Sequence, residues 1–230
     1  MNLPVLTPGH LIKRYKRFLA DVKLEDGSIV TVHCPNSGSM KGCAVQGCPV
    51  FLSCSENPGR KYPYTWELVQ TNGYWVGINT SLPNKLVHEA IVSGTVRELS
   101  GYPTIRPEVL YGERSRIDLL LEGAAGRCYV EVKNVTLEDK SRALFPDAVT
   151  TRGQKHLKEL MKVVSNGDRG VIFFTVQRGD CTSVSPADTI DPEYGRLLRT
   201  AMAHGVEALA YRASVNPISV TLTERLPIIT

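Results

Sequence analysis

The hydrophobic pattern of the chain changes near residue 80, and this change constrains the fold more than any other feature. From Phe18 to Leu24 apolar and polar residues alternate, a Glu-Asp-Gly turn follows, and a second apolar run extends from Ile29 to Val32. This period of two predicts a β-hairpin. Apolar runs at 45–53 and 67–78 predict further strands, separated by Gly and Pro. We therefore predict that residues 1–80 form a small OB-type β-barrel, an architecture that often binds nucleic acid.

After this point the pattern predicts an α/β domain over residues 81–230. Leu82, Leu86 and Ala90 follow helical spacing, and Asn79-Thr80-Ser81 offers caps for the start of that helix. Strands are predicted at 104–111, 116–121, 128–137, 169–176 and 206–211. Further helices are predicted at 152–164 and from Asp191-Pro192 to Gly205. This order of elements indicates a sheet with helices on both faces.

Composition indicates an ordinary globular protein and excludes several other classes. Hydrophobic residues make up 42% of the 230 and charged residues 22%, which argues against disorder and against a fibrous chain. No apolar run approaches the roughly 18 residues of a membrane span, and residues 1–20 lack the apolar centre of a signal peptide. We therefore expect no membrane association and a cytoplasmic location.

The six cysteines do not predict a disulfide framework. Cys34, Cys43, Cys48 and Cys54 lie close in sequence, but none of the spacings gives the CxxC pair that is typical of zinc sites. Free thiols that behave as small apolar side chains are the simpler interpretation.

Two strands of the second domain carry residues that could perform chemistry. In the segment 129–133 (YVEVK) the period of two places Glu131 and Lys133 on one face of the strand. Asp118 lies within an apolar run that is typical of a buried strand, where an unpaired carboxylate is costly. A divalent cation shared by Asp118 and Glu131 would offset that cost, and Mg²⁺ or Mn²⁺ suits hard oxygen ligands.

Asp118 followed by Glu131-x-Lys133 is also the pattern of the PD-(D/E)xK nuclease superfamily. The alternative is a surface strand with an ordinary Glu–Lys pair, because Glu-x-Lys by itself arises often by chance. The apolar surroundings of Asp118 favour the catalytic interpretation.

Five further positions complete the predicted site. The Val132 carbonyl and Glu89 are additional candidate metal ligands, and Gln154 is a candidate catalytic residue. A solvated Glu89 and a capping-box role for Gln154 are the alternatives. Arg152 and Lys155 lie in the first turn of a helix, where the helix dipole slightly disfavours cations, and contact with a phosphate would explain their placement.

The surplus of positive charge lies in the N-terminal part of the chain. Lys13, Arg14, Lys16 and Arg17 form a basic run that we predict to contact nucleic-acid phosphates, with an ordinary solvated face as the alternative.

Several sequence blocks together resemble the sugar fermentation stimulation protein A (SfsA) family over nearly the whole chain. They are residues 11–22 (LIKRYKRFLADV), 33–40 (HCPNSGSM), 61–67 (KYPYTWE), 115–118 (SRID), 129–136 (YVEVKNVT) and 145–157 (FPDAVTTRGQKHL). The resemblance implies an N-terminal OB-type barrel and a C-terminal PD-(D/E)xK nuclease domain. It also implies DNA binding with little sequence preference and a link to the regulation of sugar-utilisation genes.

The sequence therefore predicts a DNA-binding, metal-dependent nuclease. The principal alternative is a non-catalytic DNA-binding regulator of sugar (maltose) utilisation genes, and RNA is an alternative partner to DNA. The intact set of Asp118, Glu131 and Lys133 favours cleavage, because a protein that only binds DNA has no physical need for Asp118 inside an apolar strand.

Overall fold

The N-terminal part of the chain forms a partly closed β-sheet in this computed structural model, which describes residues 1–112 and 115–230. The strands are β1 (Leu6–Tyr15), β2 (Leu19–Leu24), β3 (Ile29–His33), β4 (Pro49–Cys54), β5 (Tyr64–Thr71) and β6 (Tyr74–Gly77). They pair in the order β3-β2-β1-β4-β5-β6, and a parallel bridge between His33 and Thr65 joins β3 to β5 and partly closes the sheet. The predicted OB-type barrel is confirmed.

The alternation of apolar residues explains most of the barrel. Ala20, Val22 and Val32 point inward from the predicted hairpin, and Trp66 is fully buried at the centre of the barrel core. The sequence pattern did not predict strand β1. Its pairing with β2 shifts register after Leu11, so its side chains do not keep a regular period of two.

The second domain is an α/β domain, as predicted. Its helices are α1 (Pro83–Val92), α2 (Thr151–Ser165) and α3 (Pro192–Ala203), and a 3₁₀ turn spans Arg97–Leu99. Its strands are β7 (Thr104–Tyr111), β8 (Ser115–Gly123), β9 (Gly126–Val135), β10 (Leu137–Asp139), β11 (Arg142–Phe145), β12 (Arg169–Val176), β13 (Ser183–Pro186), β14 (Glu207–Val215) and β15 (Val220–Arg225).

The main sheet of this domain runs in the order β15-β14-β12-β9-β8-β7. Helix α1 packs on one face, and α2 and α3 pack on the other. Strand β12 lies parallel to both β9 and β14 and is buried on both faces, which explains its continuous apolar run. Phe173 and Phe174 on this strand point into the two opposite cores, and each contributes about 1.5–3 kcal/mol by burial. A smaller sheet, β10-β11-β13, extends the domain beside β9 and was not predicted.

The two domains contact each other directly. The Gly77 amide at the end of β6 donates a hydrogen bond to the Gln177 carbonyl at 3.0 Å. The Leu3 amide donates to the Ile218 carbonyl at 2.8 Å, so the first residues pack on the α/β domain, although the predicted barrel range of 1–80 includes them. Within the two described ranges, no helix has the length and apolar character needed to span a membrane.

All six cysteines are free thiols. Cys34 and Cys43 are buried in the barrel core, which agrees with the interpretation as small apolar side chains, whereas Cys54 is exposed. Burial raises the pKa of the Cys43 thiol to about 11.

Candidate active site at the domain interface

Asp118 lies on β8 at the point where β8 and β9 separate. The pairing of these strands runs from Gly123 to Leu119, and Asp118 is the next residue along. Its Oδ2 accepts a hydrogen bond from the Val132 amide of β9 at 2.7 Å, and its Oδ1 accepts one from Nδ2 of Asn84 in α1 at 2.9 Å. The Asp118 carboxylate therefore takes the place of a backbone acceptor, and two neighbouring elements fix its orientation.

Glu131 on β9 is almost fully buried, with 2% of its surface exposed. Its Oε1 accepts a hydrogen bond from Lys133 Nζ at 2.6 Å and is also in close contact with Nδ1 of His156 in α2. Its Oε2 is buried and has no hydrogen-bond partner among the described residues. One oxygen of Glu131 is therefore held by two side chains, and the other can accept a further ligand.

The electrostatics of the two carboxylates differ. Burial raises the pKa of Asp118, and the negative charge of Glu131 raises it further. Burial also acts to raise the pKa of Glu131, but Lys133 and His156 outweigh it and the net pKa is lowered. Glu131 is therefore ionised at neutral pH, and a positive charge near Asp118 would relieve its unfavourable environment.

These side chains line a cavity of about 680 Å³ between the two domains. The barrel contributes Asn36, Ser37 and Gly38, and the α/β domain contributes the segment 144–150 as well as its strands and α1. Asp118, Glu131, Val132, Lys133 and Arg152, all predicted from the sequence, line this one cavity.

The start of α2 also opens onto the cavity. Thr150 is the N-cap residue, its Oγ1 accepts the Gly153 amide at 3.0 Å, and both Thr150 and Arg152 line the cavity. Arg152 donates from Nε to His156 Nε2 at 3.4 Å, so His156 is held between Arg152 and Glu131.

Two predicted site residues lie elsewhere. The amide of Gln154 donates to the Asp191 carboxylate at 2.9 and 3.1 Å and ties α2 to the start of α3, and Gln154 does not line the cavity. Its catalytic role stays a prediction. The Glu89 carboxylate forms an ion pair with the Met1 amino group at 2.9 Å, and Glu89 does not line the cavity. It lies five residues after Asn84, which places it roughly 140° around the helix from the side chain that faces Asp118.

Two predicted phosphate-binding residues have partners within the chain. Lys155 Nζ lies 3.5 Å from Glu159 Oε1, and Lys155 does not line the cavity. The Arg14 guanidinium donates to the carbonyls of four residues of the barrel and so braces the backbone, and its contact with phosphate stays a prediction. The acceptors are Arg17, Asn36, Gly38 and Ser39.

The other three residues of the predicted basic run are exposed. Lys13 keeps 65% of its side chain exposed and lies 3.7 Å from Asp21, and Lys16 and Arg17 are exposed in the turn between β1 and β2. Their predicted contact with nucleic acid stays a prediction.

Several residues of the cavity were not predicted from the sequence. His156 could have been found, because it lies four positions after Arg152 and therefore on the same helix face. Asn84 and Glu108, which are joined by a hydrogen bond of 3.3 Å, come from separate elements and offered no pattern. The residues Asn36 to Gly38 belong to the block HCPNSGSM, but nothing in the sequence placed that block beside β9.

Comparisons with known proteins are consistent over the whole chain. Residues 12–78 match the family described as the SfsA N-terminal OB domain, and residues 81–219 match the sugar fermentation stimulation protein RE domain. The chain is 75% identical to a sugar fermentation stimulation protein homolog of Pelobacter propionicus and 70% identical to one of Geobacter metallireducens, with 100% of each chain covered in both cases. A solved structure of Pyrococcus furiosus SfsA in complex with Ca²⁺ superposes with a TM-score of 0.91 at 27% identity, covering 100% of this chain and 98% of that one.

Proposed function

This chain belongs to the sugar fermentation stimulation protein family, and from that premise we propose that it is a divalent-metal-dependent nuclease that acts on DNA. The observation that carries the proposal is the convergence of Asp118, Glu131 and Lys133 on one cavity at the end of the β8–β9 pairing. The combination of two carboxylates and an amine is the one that metal-dependent phosphodiester hydrolysis requires.

The residues present fit a small hard cation. Glu131 Oε2 is buried and unpartnered within the described ranges, and burial with the charge of Glu131 raises the pKa of Asp118. Over residues 1–112 and 115–230 no group of three or more His, Cys, Asp and Glu side chains is arranged to hold a metal. Asp118 and Glu131 are therefore the two side-chain ligands, and the Val132 carbonyl and water would supply the remaining ligands of the cation. Mg²⁺ commonly keeps several of its waters, and we propose Mg²⁺ or Mn²⁺. The Ca²⁺ in the Pyrococcus furiosus relative supports a divalent ion.

The chain's own residues would each have a distinct task. When bound, the cation supplies Lewis-acid polarisation of the phosphate and lowers the pKa of the attacking water. Lys133, held by Glu131 Oε1, would orient the water and offset the negative charge that develops on the phosphate. His156 would keep Glu131 and Lys133 in place, and Arg152 would contact a neighbouring phosphate.

A nuclease assay tests this proposal. Purified protein is incubated with single- and double-stranded DNA and RNA in the presence of Mg²⁺, Mn²⁺ or EDTA. We expect cleavage of DNA with either metal and none with EDTA. Lys133→Ala should lower the rate by about 10²–10³-fold, which is the cost of losing one charge-stabilising donor. The free energy of DNA binding should change by no more than the contribution of one phosphate contact.

Lys158→Ala is the matched control, because Lys158 is an exposed lysine on α2 that does not line the cavity. Cleavage that survives in Lys133→Ala would show that the activity comes from another site or a contaminating enzyme. DNA binding without cleavage under any metal condition would favour the non-catalytic regulator of sugar (maltose) utilisation genes.

A further inference from the structure

We infer that the substrate is a single strand, which leaves the catalytic cavity across the barrel and stacks a base on Phe18. This inference rests on the proposed nuclease function and names the form of nucleic acid that the site accepts. It depends on three features: a braced barrel loop (residues 35–40), a bridge from that loop to the α/β domain, and an exposed aromatic turn beside it.

The barrel loop is rigid because Arg14 holds it. One guanidinium nitrogen, Nη2, donates to the carbonyls of Asn36 and Gly38 at 2.8 and 3.0 Å, and Nη1 donates to that of Ser39 at 3.3 Å. The Asn36 side chain donates to the Ile78 carbonyl at 3.1 Å. Since residues 36–38 line the catalytic cavity, the barrel supplies a fixed wall of the active site. Arg14 is a positioning residue for this wall.

Asp147 bridges the barrel loop to the α/β domain. Its Oδ2 accepts hydrogen bonds from Ser39 Oγ at 3.2 Å and from the Met40 amide at 3.1 Å. A Cβ at Gly38 would lie 2.5 Å from Asp147 Oδ2, so only glycine allows this close approach. The loop and the segment that carries Asp147 both line the cavity, which is therefore bounded from both domains.

The walls of the cavity favour one strand. They come from the barrel loop and from the segment 144–150 of the α/β domain. Glu131 is 2% exposed, so a scissile phosphate must enter the cavity to approach it. A flexible single strand can bring its backbone that far, whereas a duplex would carry its second strand against the braced loop.

The turn after β1 provides a surface on which the strand can continue. Arg14 Nη2 also donates to the Arg17 carbonyl at 2.8 Å, so the turn and the barrel loop share one brace. The Cys34 amide donates to the Phe18 carbonyl at 2.8 Å. Phe18 is 47% exposed and follows the exposed Lys16 and Arg17. An exposed aromatic ring beside cations is the usual surface for stacking the bases of single-stranded nucleic acid.

Binding measurements without catalysis test the inference. A fluorescent single-stranded DNA oligonucleotide, alone or annealed to its complement, is titrated with protein in EDTA and followed by anisotropy. We expect tighter binding of the single strand than of the duplex. Phe18→Ala should weaken single-strand binding about tenfold, which is the loss expected for one base stacked on an aromatic ring, and should leave duplex affinity unchanged. Phe18→Trp should retain the single-strand affinity.

Tyr74→Ala is the matched control, because Tyr74 is another aromatic residue of the barrel and is 48% exposed. It should bind both probes as the wild type does. Equal affinity of the wild type for the two probes, or an equal loss for both in Phe18→Ala, would overturn the inference. Cleavage of duplex and single strand at equal rates would overturn it as well, while leaving the nuclease proposal intact. Phe18-dependent binding of the single strand without cleavage under any metal would instead support the path of the strand and refute the nuclease.

Discussion

Asp118→Asn separates metal binding from folding. Asparagine has the same size and can still accept the hydrogen bond from the Val132 amide, but it carries no charge. The substitution removes the repulsion from Glu131 that raises the pKa of Asp118. It also removes one acceptor oxygen, so the hydrogen bond from Asn84 Nδ2 is lost when the one from the Val132 amide is kept. These effects oppose each other, so we expect the metal-free free energy of unfolding to change by no more than about 1 kcal/mol.

The effect of metal should differ strongly between the two proteins. A cation at 100 times its dissociation constant stabilises the folded state by about 2.7 kcal/mol. At roughly 2–4 °C per kcal/mol for a chain of this size, the wild-type Tm should rise by about 5–11 °C. If the loss of one carboxylate ligand weakens binding about a hundredfold, the same concentration adds only about 0.4 kcal/mol, or about 1–2 °C.

The assay is thermal unfolding in a Mn²⁺ titration, with EDTA as the baseline. Asp188→Asn is the matched control, because Asp188 is an exposed carboxylate paired with Arg199 on the surface and should keep the full metal-dependent rise. An equal rise in Asp118→Asn and the wild type would refute the metal site at Asp118. A wild-type Tm that does not respond to Mn²⁺ at any concentration would refute it as well.

Two further predictions concern residues outside the cavity. Asp180→Asn removes the carboxylate that binds buried Arg178 at 2.6 Å through two nitrogens, and we expect a loss of about 3 kcal/mol in urea unfolding at pH 7. Burial acts to raise the pKa of Asp180, but pairing with Arg178 outweighs it and lowers the pKa, so this stability is present above pH 3.8 and is lost as the pH falls through the lower folded value. The free energies of unfolding of the wild type and Asp180→Asn should therefore converge in acid. A difference between them that persists there would contradict the pairing of Asp180 with Arg178. Glu89→Gln should leave the rate of DNA cleavage unchanged, since Glu89 binds the Met1 amino group. A large loss of rate would show that Glu89 contributes to the active site.

Elements whose side chains obey one local rule could be predicted from the sequence. The hairpin of β2 and β3 has one buried face and one solvated face, so its residues alternate, and β12 is apolar throughout because both of its faces are covered. Asp118, Glu131 and Lys133 could be identified for the same reason. Charged residues in buried strands stand out against their neighbours, and adjacent strands bring them together.

Residues whose role depends on a distant partner could not be assigned in this way. Gln154 binds Asp191 across 37 positions of the chain, and the Arg14 guanidinium reaches carbonyls as many as 25 residues away. A basic or amide side chain has the same appearance in sequence whether it meets a phosphate or a carbonyl. Only the packing of helices and loops decides which of these partners it finds.

The cavity itself is a product of tertiary structure. Its floor comes from β8 and β9, and one wall comes from a barrel loop about 80 residues earlier in the chain, held in place by Asp147. Periodicity reports which face of a strand or helix is buried, but it carries no information on how two finished domains dock. The sequence by itself therefore determined the two domains and the placement of Asp118, Glu131 and Lys133 on neighbouring strands. The docking of the domains decided which other side chains surround them, because that arrangement depends on contacts between surfaces that no local pattern encodes.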